Sequence, residues 1–138
     1  MSTPSIFSFN GRIQRVDYLL TTAVVIDLLL VINQSSDAAK IPSLLMLPVA
    51  ILSAIVLGWL WLAAAVKRCH DLGQSGFYAL IPLYGLWLIF PDGTPGENEY
   101  GPNQKEGRHA VRDASGFPLA MAILILSLGF WLMLAVSE

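Results

Sequence analysis

Four apolar stretches, separated by polar segments, organise the chain. Tyr18 to Ile32 is apolar apart from Thr21, Thr22 and Asp27, and Ile41 to Val66 runs 26 residues without a charge. Phe77 to Pro91 is 15 residues long and holds Pro82 and Gly85, while Phe117 to Val136 is 20 uncharged residues. A helix needs about 20 apolar residues to cross about 30 Å of hydrocarbon. The first stretch with its flanks, the second and the fourth therefore predict membrane-spanning helices. Pro42 suits the first turn of the second helix, and Pro48 is placed to kink it.

The third stretch reaches only about 22 Å as a helix. If it crossed, the eight Lys and Arg residues would divide evenly between the two sides. If it dips in and returns, seven of the eight share the side of Arg12, Arg15, Lys67 and Arg68. The positive-inside rule favours the returning path and makes that side cytoplasmic. The longer uncharged window from Leu72 to Pro91 keeps a strained crossing open. The expected architecture is thus an all-α helical bundle of three to four spans, a single membrane domain over residues 1–138, with a short Pro/Gly-interrupted third segment.

The polar segments predict the rest. Asn10 is placed to cap a helix starting near Gly11, which would put Arg12 and Arg15 on one face. Asn33 to Lys40 reads as a short outside loop. Asp92 to Gly116 reads as a glycine-built loop containing His109. Asp92, Glu97, Asn98 and Glu99 do not follow the spacing of a calcium loop, so no metal site is expected there.

Composition agrees with a membrane protein. Hydrophobic residues make up 55% and charged residues 13% of the chain, against about 25% charged in soluble domains, and mean hydropathy is +0.62. The formal charge of −2 gives no argument for nucleic acid as a partner, and the lone Cys69 excludes an intrachain disulfide. Ser36 and Ala38 form a weak small-x-small cleavage pattern. Asp27 in mid-stretch and the apolar segments that follow favour an uncleaved first helix instead.

The candidate chemistry centres on Val66 to Phe77, which reads Val-Lys-Arg-Cys-His-Asp-Leu-Gly-Gln-Ser-Gly-Phe. Arg68 and Asp71 are three apart and can pair on a continuing helix. Gly73, Gly76, Gln74 and Ser75 predict a turn, with Ser75 a helix cap. His70 beside Asp71 invites an acid–base reading, but neighbours on a helix diverge by about 100° and no complete catalytic set is visible. Cys69 beside two cations is either a reactive thiol or, as we expect, an apolar filler. Arg12 and Arg15 either meet lipid phosphates or pair with a carboxylate of the central stretch. Asp27 costs about 2.5–3.5 kcal/mol at mid-helix, so it must face protein or water, as an ion or substrate site or at a helix contact. Ala50, Ala54 and Gly58 recur every four residues, a spacing that lets a second helix, including one from another copy, approach closely. Trp59 and Trp61 read as interface or packing residues.

Three ordered motifs add a resemblance. Gly11-Arg12-x-x-Arg15-x-Asp17-Tyr18 comes first, the central Lys67 to Phe77 run second, and Gly93-x-x-Gly96-x-Asn98-x-Tyr100-Gly101-Pro102 third. Together they resemble the YhaH-like bacterial inner-membrane family, number 805 among domains of unknown function. The resemblance covers residues 7–102 and leaves the 117–136 span outside it. Lys67, Cys69 and Phe77 depart from the arginine, leucine and tryptophan usual in that family. It implies the inner membrane and assigns no activity, cofactor or catalytic residue. The expected role is a small binding or scaffold module whose cytoplasmic motif contacts lipid headgroups, anionic ones among them, or a partner. The alternatives are a homo-oligomeric transporter using Asp27 and, more weakly, an enzyme using His70 and Asp71. A structural counterpart is a clamp in which Asp71 accepts from Arg12 or Arg15 and His70 bonds a carbonyl or a lipid phosphate.

Overall fold

The computed structural model describes residues 6–38, 43–103 and 109–136. The described chain is all-helical: α1 (Arg15–Ala38), α2 (Ser43–Asp71), a 3-10 turn (Gly76–Leu80), α3 (Tyr84–Trp87) and α4 (His109–Val136). Arg15–Gln34 and Leu47–Asp71 are each long and apolar enough to cross a membrane, and α4 carries an apolar stretch, Pro118–Met133. Their outward faces are greasy, with Leu52, Ile55, Leu126 and Met133 all well exposed. That is the inverse of a water-soluble surface and suits lipid.

Helix limits differ from the expected ones in four places. Gly11 adopts φ 91°, so Arg12 precedes the helix instead of sharing a face with Arg15. Asn10 does not cap it; its N–H donates to Ser8 Oγ at 3.1 Å. Residues 33–38 continue α1 instead of forming a loop, and His109 to Gly116 open α4. At its far end α2 runs through Lys67 and Arg68 to Asp71. Its 29 residues make about 44 Å of helix, longer than the roughly 30 Å of hydrocarbon. Pro48 sits inside α2 without ending it. Thr21 and Thr22 turn their hydroxyls back to the carbonyls of Asp17 and Tyr18, at 2.7 and 2.9 Å, which satisfies them within the helix.

The third apolar stretch does not cross as a helix. After the 3-10 turn, Tyr84 N–H closes on the Ile81 carbonyl at 3.1 Å. Pro82 fills the second position of that turn, and Leu83 takes a left-handed φ of 66°. Other elements satisfy the carbonyls that this broken backbone exposes. Tyr18 Oη donates to Gly85 at 2.9 Å, Arg68 Nε to Leu88 at 3.0 Å, and Arg68 Nη2 to Pro91. Irregular backbone is tolerated near lipid only with such partners. Gly85 is required here, because a Cβ would stand 2.8 Å from Trp61 Cζ2.

The direction of α4 agrees with a segment that returns. Ala120 joins a core with Val16, Tyr18, Leu19, Cys69 and Leu88. Seven residues further on, Ser127 bonds Asp27, which lies eight residues beyond Leu19. α4 therefore runs parallel to α1 and starts from the same end of the bundle.

Candidate functional site

At that end two cations and one carboxylate are packed out of water. Arg12 is 2% exposed, Arg68 0% and Asp71 2%. Arg12 grips Asp71 through Nε and Nη2, each 3.0 Å from Oδ1, while Arg68 Nη1 donates to Oδ2. The Arg68–Asp71 pair is the expected three-apart contact. Arg12 reaches Asp71 because the kink at Gly11 throws its side chain across the end of α2. Six backbone carbonyls supplement the carboxylate: Asp71, Thr94, Gly96 and Gly101 for Arg12, and Leu88 and Pro91 for Arg68. Of the two readings of Arg12, the structure therefore shows the carboxylate pair and not a lipid anchor. Arg15 is half-buried and meets Asp92 at 3.2 Å.

The glycines let the 93–103 segment wrap this pair. A Cβ on Gly93 would stand 2.6 Å from Asp71 Cγ. Gly96 and Gly101 have φ of 70° and 121°, and both turn their carbonyls to Arg12. Gly73 ends α2: Gln74 N–H bonds Cys69 O at 2.9 Å and Gly73 N–H bonds His70 O at 3.0 Å, a left-handed helix cap. Asn98 Nδ2 adds a bond to His70 O at 2.9 Å, and its Oδ1 accepts from Tyr100 N–H. Ser75 precedes the 3-10 turn but makes no side-chain capping bond.

His70 stands outside the clamp and faces a pocket. Its Nδ1 lies 3.2 Å from the Gly11 carbonyl, so Nδ1 carries the hydrogen and donates. Tyr100 lies flat on the imidazole, with centroids 3.9 Å apart and planes within 1°. Hydrogen bonding and charge from Glu99, together with partial desolvation, hold the Tyr100 phenol above its ordinary pKa. Nε2 turns towards Gly76, 3.3 Å from where a Cβ would sit. The pocket is about 530 Å³, with Asn10, His70, Ser75 and Tyr100 as its polar side and Leu62, Val66 and Leu80 among its apolar walls.

The remaining expected residues disperse. Cys69 is fully buried in the core and serves as filler. Asp27 accepts from Ser127 Oγ and, at 3.2 Å, from Trp131 Nε1, so it sits at a helix contact. Ala50, Ala54 and Gly58 lie on the exposed side of α2. Trp59 packs edge-on against Phe9 at 4.8 Å and donates to Phe7 O. The side chain of His109 lies outside the described residues. Sequence reasoning missed Thr94, whose carbonyl lies 2.7 Å from Arg12, and the Tyr18–Gly85 bond. It also missed Ser127 and Trp131, although two polar side chains four apart in an apolar helix were a readable signal.

A family model described as a protein of unknown function, DUF805, matches residues 6–102. The chain belongs to this family. Among Escherichia coli K12 relatives, the uncharacterized protein YiiR is 29% identical over 80% of this chain and 94% of its own length. The inner membrane protein YhaI is 31% identical over 72% of this chain and 87% of its own. The inner membrane protein YhaH reaches 43% identity, over 33% of this chain and 43% of its own. No solved structure matches. The DUF805 match encloses the whole clamp and the His70 pocket, and α4 lies beyond it.

Proposed function

We propose that this DUF805 protein is an inner-membrane lipid-binding module whose His70 pocket holds a glycerophospholipid with a hydroxyl-bearing headgroup. Its N-terminus and the Arg12–Asp71–Arg68 clamp face the cytoplasm, the side to which the positive-inside rule assigns its cations. The observation that carries the reading is the two-sided pocket at the end of α2. Its apolar wall follows α2 from Val66 back to Leu62, and His70, at the end of the same helix, lies on its polar side. With Nδ1 committed to Gly11, neutral His70 offers Nε2 as an acceptor for a headgroup hydroxyl. Ser75 and Asn10 supply donors and acceptors beside it. The clamp arginines are already enclosed by protein, so their role is to hold the end of α2, the 93–103 wrap and the N-terminal segment in place around the pocket.

The test is native mass spectrometry of protein released from mild detergent containing phosphatidylglycerol. Wild type retains the lipid. His70→Ala, which leaves the clamp intact, loses it at unchanged helicity. Equal retention by both proteins refutes the reading. For Asp27, bonding to Ser127 and Trp131 at a helix contact favours a structural role, so we advance no transport function from it.

A further inference from the structure

Residues 76–90 descend along α2 and come back. A Cβ on Gly76 would stand 2.7 Å from Val66 Cγ1, and one on Gly85 would stand 2.8 Å from Trp61 Cζ2. The chain then returns, with Arg68 Nε donating to the Leu88 carbonyl at 3.0 Å and Gly93 against Asp71. From Asp71 back to Trp61, α2 covers about 15 Å, half of the roughly 30 Å hydrocarbon core. The outer surface of this layer is apolar. Leu83, at the turn, is 78% exposed, Leu86, Trp87 and Phe90 are exposed as well, and no charge occurs from Leu72 to Pro91. Its inner side is already partnered. Ala79, Leu88 and Ile89 are buried, and Tyr18 and Arg68 hold the carbonyls of Gly85, Leu88 and Pro91, so the irregular backbone does not depend on water for them. The exposed face also continues the apolar surface of the spans: Thr22 of α1 and Trp61 and Leu62 of α2 line one groove with Ile81, Pro82 and Leu86. The layer is one-sided. It packs on α1 and α2 at the clamp end, and among the described residues no such layer packs on their other halves.

We propose that residues 76–90 are a wedge seated in the acyl chains of the clamp-side leaflet alone, and that the protein consequently prefers membrane in which that leaflet is convex. Convex bending spreads the headgroups of a leaflet and opens its acyl region, so apolar volume confined to that leaflet is accommodated there at lower cost. The wedge needs no ligand in the His70 pocket, and Leu83, Leu86 and Phe90 lie outside that pocket's lining.

Narrow tethers pulled from giant vesicles that carry fluorescently tagged protein, clamp end outward, test this. The tether-to-vesicle density ratio of wild type rises above unity as the tether narrows, and falls below unity for protein inserted the other way round. Leu83→Asp, at an exposed position, draws the turn out of the acyl region and brings the ratio towards unity. His70→Ala leaves the ratio as in wild type, which separates the wedge from the His70 pocket. Spin labels at Leu83, Leu86 and Phe90 in a Cys69→Ala background locate the face directly, and they decide the question even where Leu83→Asp does not fold. Each label is reached by dissolved oxygen and not by a water-soluble nickel chelate. A wild-type ratio at unity in both orientations, a ratio unchanged by Leu83→Asp, or labels open to the chelate overturns the inference. Labels closed to both reagents put a second copy of the chain or another protein on the face, and overturn it as well.

Discussion

Arg12→Ala removes one partner of a buried ion pair, and its cost can be worked out from the contacts. The freed carbonyls contribute little. Thr94 O keeps Asn103 Nδ2 at 2.8 Å, Gly96 O keeps Asn103 N–H at 3.1 Å, and Gly101 O keeps Asn98 N–H at 3.1 Å. The main term is Asp71, a 2%-exposed carboxylate that loses its bidentate partner and retains Arg68. Removing one member of a buried pair costs about 3–5 kcal/mol, a large share of the roughly 5–15 kcal/mol that holds a domain folded. Arg12→Lys keeps the charge but not the fork, and falls between Arg12→Ala and wild type. The assay is unfolding by titration of sodium dodecyl sulfate into mild-detergent micelles, followed by near-ultraviolet circular dichroism. A loss below about 1 kcal/mol for Arg12→Ala, the size of an exposed pair, would refute the buried clamp. Exchanging the charges, Asp71→Arg with Arg12→Asp, does not restore stability. Arg68 would lose its carboxylate, and a new one would face the carbonyls of Thr94, Gly96 and Gly101.

Four further outcomes follow from the same geometry. Gly93→Ala forces a Cβ against Asp71 and destabilises by about 1–3 kcal/mol in the same titration; a neutral substitution contradicts the close approach. Asp27→Asn keeps an acceptor for Ser127 and Trp131, whereas Asp27→Leu leaves them without one at a cost of about 1–2 kcal/mol. Faster hydrogen exchange in α4 of the leucine variant alone is expected, and equal exchange in both variants contradicts the contact. Reporter fusions after Gly107 signal from the cytoplasm and those at the C-terminus from outside; an external signal at Gly107 would contradict the returning third segment. Glu99→Gln lowers the Tyr100 titration towards its ordinary value, read by ultraviolet absorbance against Tyr100→Phe, and an unchanged titration removes the assigned cause.

Much of this fold was legible because apolar length is a direct physical signal. The long apolar runs became α1, α2 and α4, and the count of cations anticipated that residues 77–91 would turn back. Helix ends were less legible. Residues 33–38 and 109–116 are polar, and polarity alone does not separate a loop from a helix that leaves the membrane. At the site, the spacing of Arg68 and Asp71 gave their pairing directly. Arg12 was misplaced onto a helix because the left-handed backbone at Gly11 is a tertiary choice that glycine permits but does not announce. Thr94 acts mainly through its backbone carbonyl, which no side-chain pattern records. The His70 pocket depends on which faces meet, and one chain's pattern does not specify that.

A high-resolution structure in nanodiscs containing phosphatidylglycerol would test the central claim most directly. The account predicts ordered lipid density in the His70 pocket, with a headgroup oxygen within hydrogen-bond distance of His70 Nε2 and an acyl chain along Leu62, Val66 and Leu80. A pocket closed by its own side chains, or one holding only water while lipid is ordered elsewhere, would contradict it and leave the signature residues with a structural role alone.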